Sequence, residues 1–479
     1  MSLLHADVAV VGNELCGYAA AALLAHANRR VIILDDDEGT DARPLGDRLV
    51  PLVPTLWRVP TSGPAGTLVD QLGLRQRARH ELGEPVGVGL IDDPDVRLVM
   101  KIDADARKKE LERVFREAAD AMLSALEGFR SESRDCLLEE AALLHEDGFF
   151  AGMRAKKRLE AYGPAGQPAA DDPNVRALSL TGIGSALPYV APFVQSLSRP
   201  ALGGMGGWVA AWQLAGGTIA NTRGGLGLRA ALRELLADVV QGHGGEILDK
   251  RKVTSVEGDG KRVTIVRTDG ANDYAVRAVV DATSRRSLAD RLPEGKRREK
   301  YRSLDATVPL DLGAAIVRWL LPTGALPRGM PPRAVVLPED EGGAPMLVGV
   351  FDGLPAADGR KKPDDDLVAV VALARAALGE SARVADEVEA RLEALMPFAR
   401  GSVVAHDHIT GDDAAYALPA FRSSEEAHLL GGRRPSTPFA NVARAGRDVA
   451  PVLGVEGELA VARSVAALVQ QALGKPQGA

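Results

Sequence analysis

Little of this chain is aromatic: Phe, Trp and Tyr make up 4% of its 479 residues. Cysteine is scarcer still. Cys16 and Cys136 are the only two, and they form no C-x-x-C pair, which excludes a disulfide framework and a thiolate zinc motif. An excess of positive charge is also missing. The 58 Lys and Arg against 65 Asp and Glu leave a formal charge of −7, which argues against nucleic acid as the main partner. The opening residues show no basic-then-apolar leader, so we expect no signal peptide and a reducing, cytoplasmic setting. No repeat of fixed period is present. No Ser/His/Asp or Cys/His order suggests a hydrolase, and no general base stands out. His406 and His408 share one face of a predicted strand, a spacing that can hold a metal. No third ligand is evident in the sequence, so solvent-facing side chains and no metal site are expected.

Other features are plentiful. An apolar fraction of 46% over 479 residues can fill more than one core, and the length predicts two domains. The run Asp7-Val8-Ala9-Val10-Val11 opens directly into Gly12-Asn13-Glu14-Leu15-Cys16-Gly17, and an Ala/Leu-rich helix follows. A second apolar strand, Val31-Ile32-Ile33-Leu34, ends on Asp35. Strand, glycine turn, helix, strand and an acid ~20 residues on is the order of a dinucleotide-binding unit. Its fingerprint reads G-x-G-x-x-G, and here Glu14 stands at the middle glycine. That glycine normally lets backbone approach a pyrophosphate, so Glu14 adds bulk and like charge where an anion sits. Gly12 and Gly17 serve the tight turn and the helix-on-strand packing with or without a nucleotide. Asp35 is the expected ribose-binding acid, although Asp36, Asp37 and Glu38 also allow a solvated acidic turn.

Further along, residues 103–129 repeat apolar positions as an amphipathic helix that Asp103 or Asp105 can cap. Residues 162–174 read as a surface loop. Between Arg176 and Arg199 there is no charged residue. Gly182, Gly184, Pro188 and Pro192 interrupt any membrane helix there. The stretch is read as buried core, with an apolar lip for a greasy substrate or a peripheral membrane contact as the other reading. Arg223-Gly224-Gly225-Leu226-Gly227 is a second glycine turn before a helix over residues 228–240, followed by strands near 246–256, 262–268 and 274–281. Residues 310–352 are strand-rich, 364–396 predict two helices broken at Gly379, and 401–408 predict a strand. Glu456 lies between glycines at the start of a last helix over residues 458–473, which Gly474 ends.

In this order the pieces resemble the phytoene-desaturase-like branch of the FAD-dependent amine-oxidase superfamily. The resemblance is carried by residues 8–35, by 48–73, by Arg223-Gly-Gly-Leu-Gly-Leu, by Val279-Val280-Asp281-Ala282-Thr283, and by Ala445-Gly446…Pro451…Gly454-Val455-Glu456-Gly457. It implies an α/β fold with a Rossmann-like nucleotide domain built from residues 1–75, 215–300 and 430–479. An inserted substrate domain of mixed sheet and helices would take residues 76–214 and 301–429. It further implies FAD, bound around Gly12, Glu14, Gly17, Asp35, Arg447, Gly454, Glu456 and Gly457. The implied chemistry is hydride transfer, or a redox-neutral isomerisation, on an apolar substrate such as an isoprenoid. NAD(P) in place of FAD is a weaker reading, since Asp35 disfavours a 2′-phosphate.

Two positions depart from the pattern. Besides Glu14, Arg447 falls where the family has the aspartate that bonds the ribityl chain, and a guanidinium only donates. One turn gains a negative charge and the other a positive one, so Glu14 and Arg447 are expected to face each other. Such a pair either neutralises Glu14 within a working FAD site or fills a closed one. Rab GDP-dissociation inhibitors share the architecture and bind lipid without flavin, so the second outcome implies a cofactor-free lipid- or protein-binding protein.

Overall fold

The computed structural model describes residues 2–120, 217–306, 312–415 and 434–474, with short breaks inside those ranges. The expected loop at 162–174 and the uncharged stretch at 177–198 lie outside the described residues, as do Arg223 and Cys136.

The chain begins with β1 (Ser2–Val11), α1 (Leu15–His26) and β2 (Val31–Leu34), then a hairpin of β3 (Ala42–Leu45) and β4 (Arg48–Pro51). After two helices, Gly63–Gln71 and Arg75–Leu82, come β5 (Val88–Asp92), β6 (Val96–Met100) and α2 (Ala104–Phe115). Asp103 caps α2, accepting from the Ala106 amide at 2.8 Å. After the long undescribed stretch the chain continues with α3 (Leu228–Gly242), β7 (Glu246–Leu248), β8 (Val253–Gly258), β9 (Val263–Thr268) and β10 (Asn272–Asp281). It goes on through β11 (Leu312–Pro322), β12 (Arg333–Val336), β13 (Met346–Phe351), β14 (Leu367–Ala377), α4 (Ser381–Leu395) and β15 (Ala405–Ile409). It closes with β16 (Val442–Arg444) and α5 (Gly454–Leu473). Gly474, at φ 71°, ends α5 as expected.

Two large sheets organise these elements. One runs β7-β2-β1-β10-β9-β8. The outer edge of β10 is shared: β9 pairs at Tyr274 and Ala275, and β16 pairs in parallel at residues 279–281. The other sheet runs β15-β11-β14-β13-β12-β5-β6 and is antiparallel except between β12 and β5. The result is the expected α/β architecture, with one sheet parallel through β7-β2-β1-β10 and antiparallel beyond, and the other antiparallel at all but one pairing.

Helix α1 is buried on every side, from Leu15 to Ala25. Its four consecutive alanines, Ala19 to Ala22, keep it thin, so α3 and α5 both pack against it. The same apolar cluster continues onto one face of the second sheet through Ile316, Leu320, Val335, Leu347 and Val371. The opposite face of that sheet is covered by Val384, Val388 and Leu392 of α4.

One expectation is corrected here. The first of the two helices predicted over 364–396 is a strand, β14. It lies between β11 and β13, and a strand buried on both faces reads as a continuous apolar run rather than an alternating one. Periodicity alone does not separate such a run from a buried helix. Only the second helix, α4, forms.

Candidate functional site

The site is built where α1 begins. Gly12 takes φ +104°, and a Cβ there would lie 2.3 Å from the Ala282 carbonyl oxygen. Gly17 sits as tightly, its would-be Cβ 2.3 Å from Ala282 Cβ. These two close approaches clamp the turn against the end of β10. The Glu14 amide donates to the Ala282 carbonyl at 3.2 Å, which fixes residue 14 at the N-cap of α1.

The Glu14 side chain does not cap its own helix. It is 2% exposed and is held by two arginines. Arg447 Nε donates to both carboxylate oxygens, at 3.0 and 2.9 Å. This is the pairing expected from the sequence, and the turn after β16 places it. The second arginine was not expected. Arg229, in the first turn of α3, donates through Nη2 to Glu14 Oε2 at 3.1 Å.

Arg229 is the hub of a larger cluster. Its Nε donates to Asp41 Oδ1 at 3.1 Å. Its Nη2 reaches Glu458 Oε2 at 2.9 Å, and its Nη1 binds the other Glu458 oxygen. One helical turn on, Arg233 lies 3.5 Å from Asp41 and donates to the Asn13 carbonyl at 3.0 Å. Arg447 Nη2 is 3.8 Å from Asp41. Three guanidiniums thus face three carboxyl groups, and when all are ionised the charges balance.

Their titration follows from that geometry. Burial raises the Asp41 carboxyl, but Arg229, Arg233 and Arg447 outweigh it and hold the group below its ordinary range. Burial opposes the charge on Arg229, yet Glu458, Asp41 and Glu14 push it well above the ordinary guanidinium value. Glu458 goes the other way. Its burial outweighs the pull of Arg229 and Arg447, and its carboxyl is raised.

Two further residues expected at a nucleotide site are engaged. Asp35, at the end of β2, accepts from the Tyr18 hydroxyl at 2.7 Å. Tyr18 is pushed up first by burial and then by the Asp35 charge. Glu456, near the start of α5, accepts from the Trp57 indole N–H at 3.0 Å, and both side chains are buried. Gly454 opens α5 and Gly457 is buried in its first turn. Of the residues expected at a nucleotide site, the fold joins Glu14 and Arg447 directly. Asp35 and Glu456 instead bond to Tyr18 and Trp57. The sequence reading missed Arg229, Arg233, Asp41, Glu458, Tyr18 and Trp57. Tyr18, polar and bulky in the first turn of a fingerprint helix, carried the one local signal.

FAD, the cofactor implied by the resemblance, does not fit this donor set. A dinucleotide places its pyrophosphate at the helix N-terminus, against backbone N–H groups and positive charge. Here that position holds a carboxylate already neutralised by two guanidiniums. Elsewhere, His408 Nε2 lies 2.8 Å and His406 Nδ1 3.5 Å from Glu389 of α4. Among the described residues no group of three metal-ligating side chains is assembled. Nor, among them, is any helix long and apolar enough to cross a membrane.

No family model matches the chain, and no curated protein matches it. Solved structures do. An oxidoreductase from Methanosarcina mazei superposes with a TM-score of 0.57 at 14% identity, covering 96% of this chain and 99% of that one. A cyclohexylamine oxidase from Brevibacterium oxydans gives 0.52 at 16%, covering 98% and 99%. A Rab GDI from Plasmodium falciparum gives 0.53 at 10%, covering 97% and 98%. At these identities the likeness establishes a shared fold along nearly the whole chain.

Proposed function

We propose that this chain is a non-redox binding protein on the amine-oxidase-like fold. Its dinucleotide groove is closed by its own side chains, and its ligand is an apolar small molecule or lipid. The observation that carries this reading is the charge-matched cluster of Glu14, Asp41 and Glu458 with Arg229, Arg233 and Arg447. An incoming pyrophosphate would have to displace a buried carboxylate from two arginines. Separating such a pair leaves an uncompensated buried charge, at about 3–5 kcal/mol. A Rab GDI shares this fold.

A second reading keeps the enzyme: an FAD-dependent oxidoreductase acting on an apolar substrate, of the isoprenoid class that the phytoene-desaturase resemblance implies. It is favoured by the intact turn at Gly12 and Gly17 and by the oxidase and oxidoreductase among the fold neighbours. On this reading Glu14 must swing out of the groove.

Visible absorption of the purified protein separates the two, measured before and after excess FAD and desalting, with circular dichroism to show folding. The first reading expects no flavin bands on folded protein. Retained bands would install the second. Flotation with liposomes then tests the peripheral membrane contact suggested by the uncharged stretch at 177–198.

A further inference from the structure

Resting on the closed-site reading above, we propose that Glu14 is an intramolecular anion seated in an arginine cradle. On this proposal the cradle of Arg229, Arg233 and Arg447 still takes an inorganic diphosphate once the Glu14 charge is removed.

The geometry supplies three reasons. First, the Glu14 carboxylate lies at the N-terminus of a helix of 12 residues, the end that favours negative charge. It makes no bond back to that helix and is instead spanned by Arg447 at 2.9 and 3.0 Å and Arg229 at 3.1 Å. Two guanidiniums converging on one anion is the arrangement that binds phosphate groups. Second, the arginines have support apart from Glu14. Arg229 is bonded to Asp41 and Glu458, and Arg233 to the Asn13 carbonyl. These bonds hold Arg229 and Arg233 in place when Glu14 is neutralised, and Asp41 lies 3.8 Å from Arg447 Nη2. Third, without the Glu14 charge the cluster holds three guanidiniums against two carboxyl groups, so a positive charge is left unmatched in a site shielded from solvent.

The proposal also sets a limit. Tyr18 still engages Asp35, and Trp57 still engages Glu456. Neutralising Glu14 therefore opens the pyrophosphate position alone and does not restore FAD.

The test uses the full chain and titrates inorganic pyrophosphate by calorimetry into wild type, Glu14→Gln and Glu14→Gly. Wild type is expected to bind it weakly. Both variants are expected to bind on the order of tenfold more tightly or better, with affinity falling as salt rises. The double variant Glu14→Gln/Arg447→Gln, which restores charge balance, is expected to lose that gain. Variants that are folded but no tighter than wild type would overturn the proposal and leave the closed-site reading standing. Flavin retained by wild type would instead remove that reading. If a single variant folds poorly, refolding with and without pyrophosphate decides: rescue by the anion supports the cradle, and no rescue overturns it.

Discussion

Removing Arg229 should damage this protein more than removing Arg447, although Arg447 is the residue that departs from the family pattern. Arg229 bonds three carboxylates, Glu14, Asp41 and Glu458, whose side chains are 2%, 13% and 3% exposed. Arg229→Ala leaves those three groups to two arginines, and Glu458 loses both of its guanidinium bonds. Breaking a buried ion pair from one side costs about 3–5 kcal/mol, and the number of partners puts Arg229→Ala at the upper end. Arg447 is 16% exposed, and Glu14 keeps Arg229 when it goes, so Arg447→Ala should cost about 1.5–3 kcal/mol, the range of a hydrogen bond to a charged group. At roughly 2–4 °C per kcal/mol for a large domain, Arg229→Ala lowers the first thermal transition by on the order of 10 °C. Differential scanning fluorimetry, checked by urea unfolding, ranks the two. A control, Arg229→Met/Glu458→Met, leaves two charges of each sign and should recover much of the loss. The reasoning fails if Arg229→Ala shifts the transition less than Arg447→Ala, or if the control is no better than the single variant.

Three other outcomes follow from the same geometry. Gly12→Ala puts a Cβ 2.3 Å from the Ala282 carbonyl oxygen at φ +104°, so it should cost at least about 1–3 kcal/mol, seen as lost soluble yield and a lowered transition. Asp41 has a lowered folded pKa, so its contribution is present above the unfolded value of ~3.9 and is lost as pH falls through the folded one. The stability gap between wild type and Asp41→Asn should therefore narrow on acidification below about pH 4. Glu458, with its raised pKa, works in the opposite sense and gains as it protonates, which makes the difference between variants the quantity to measure. Tyr18→Phe removes the donor to Asp35 and should cost about 0.5–1.5 kcal/mol in urea unfolding.

Much of the fold was legible because its signals are local. The strand–turn–helix of residues 8–26 and the cap at Asp103 each lie within a few neighbouring residues, as does the meander after α3. Where the reading failed, at β14, local information was ambiguous. Leu367-Val-Ala-Val-Val-Ala-Leu-Ala is apolar at every position because β11 and β13 flank it and both faces are buried. Only the neighbouring strands, far off in sequence, decide between strand and helix there.

The site is a harder case. A motif records what is missing at a position, not what has replaced it. Glu14 was conspicuous because a glycine is expected there, and Arg447 because an aspartate is. Both could be paired by sign alone, across a separation of 433 residues. Arg229 breaks no pattern. It is an ordinary cation on an amphipathic helix, 215 residues from Glu14 and 229 from Glu458, and nothing local marks it as buried. Yet it turns a two-residue bridge into a cluster. A lone Glu14–Arg447 bridge is compatible with a working cofactor site, since one guanidinium can turn from the carboxylate to an entering phosphate. Once Arg229 shares the same carboxylate, displacing Glu14 strips it of two guanidinium partners at once. The choice between an altered flavin site and a closed one therefore rests on a residue that the motif does not contain.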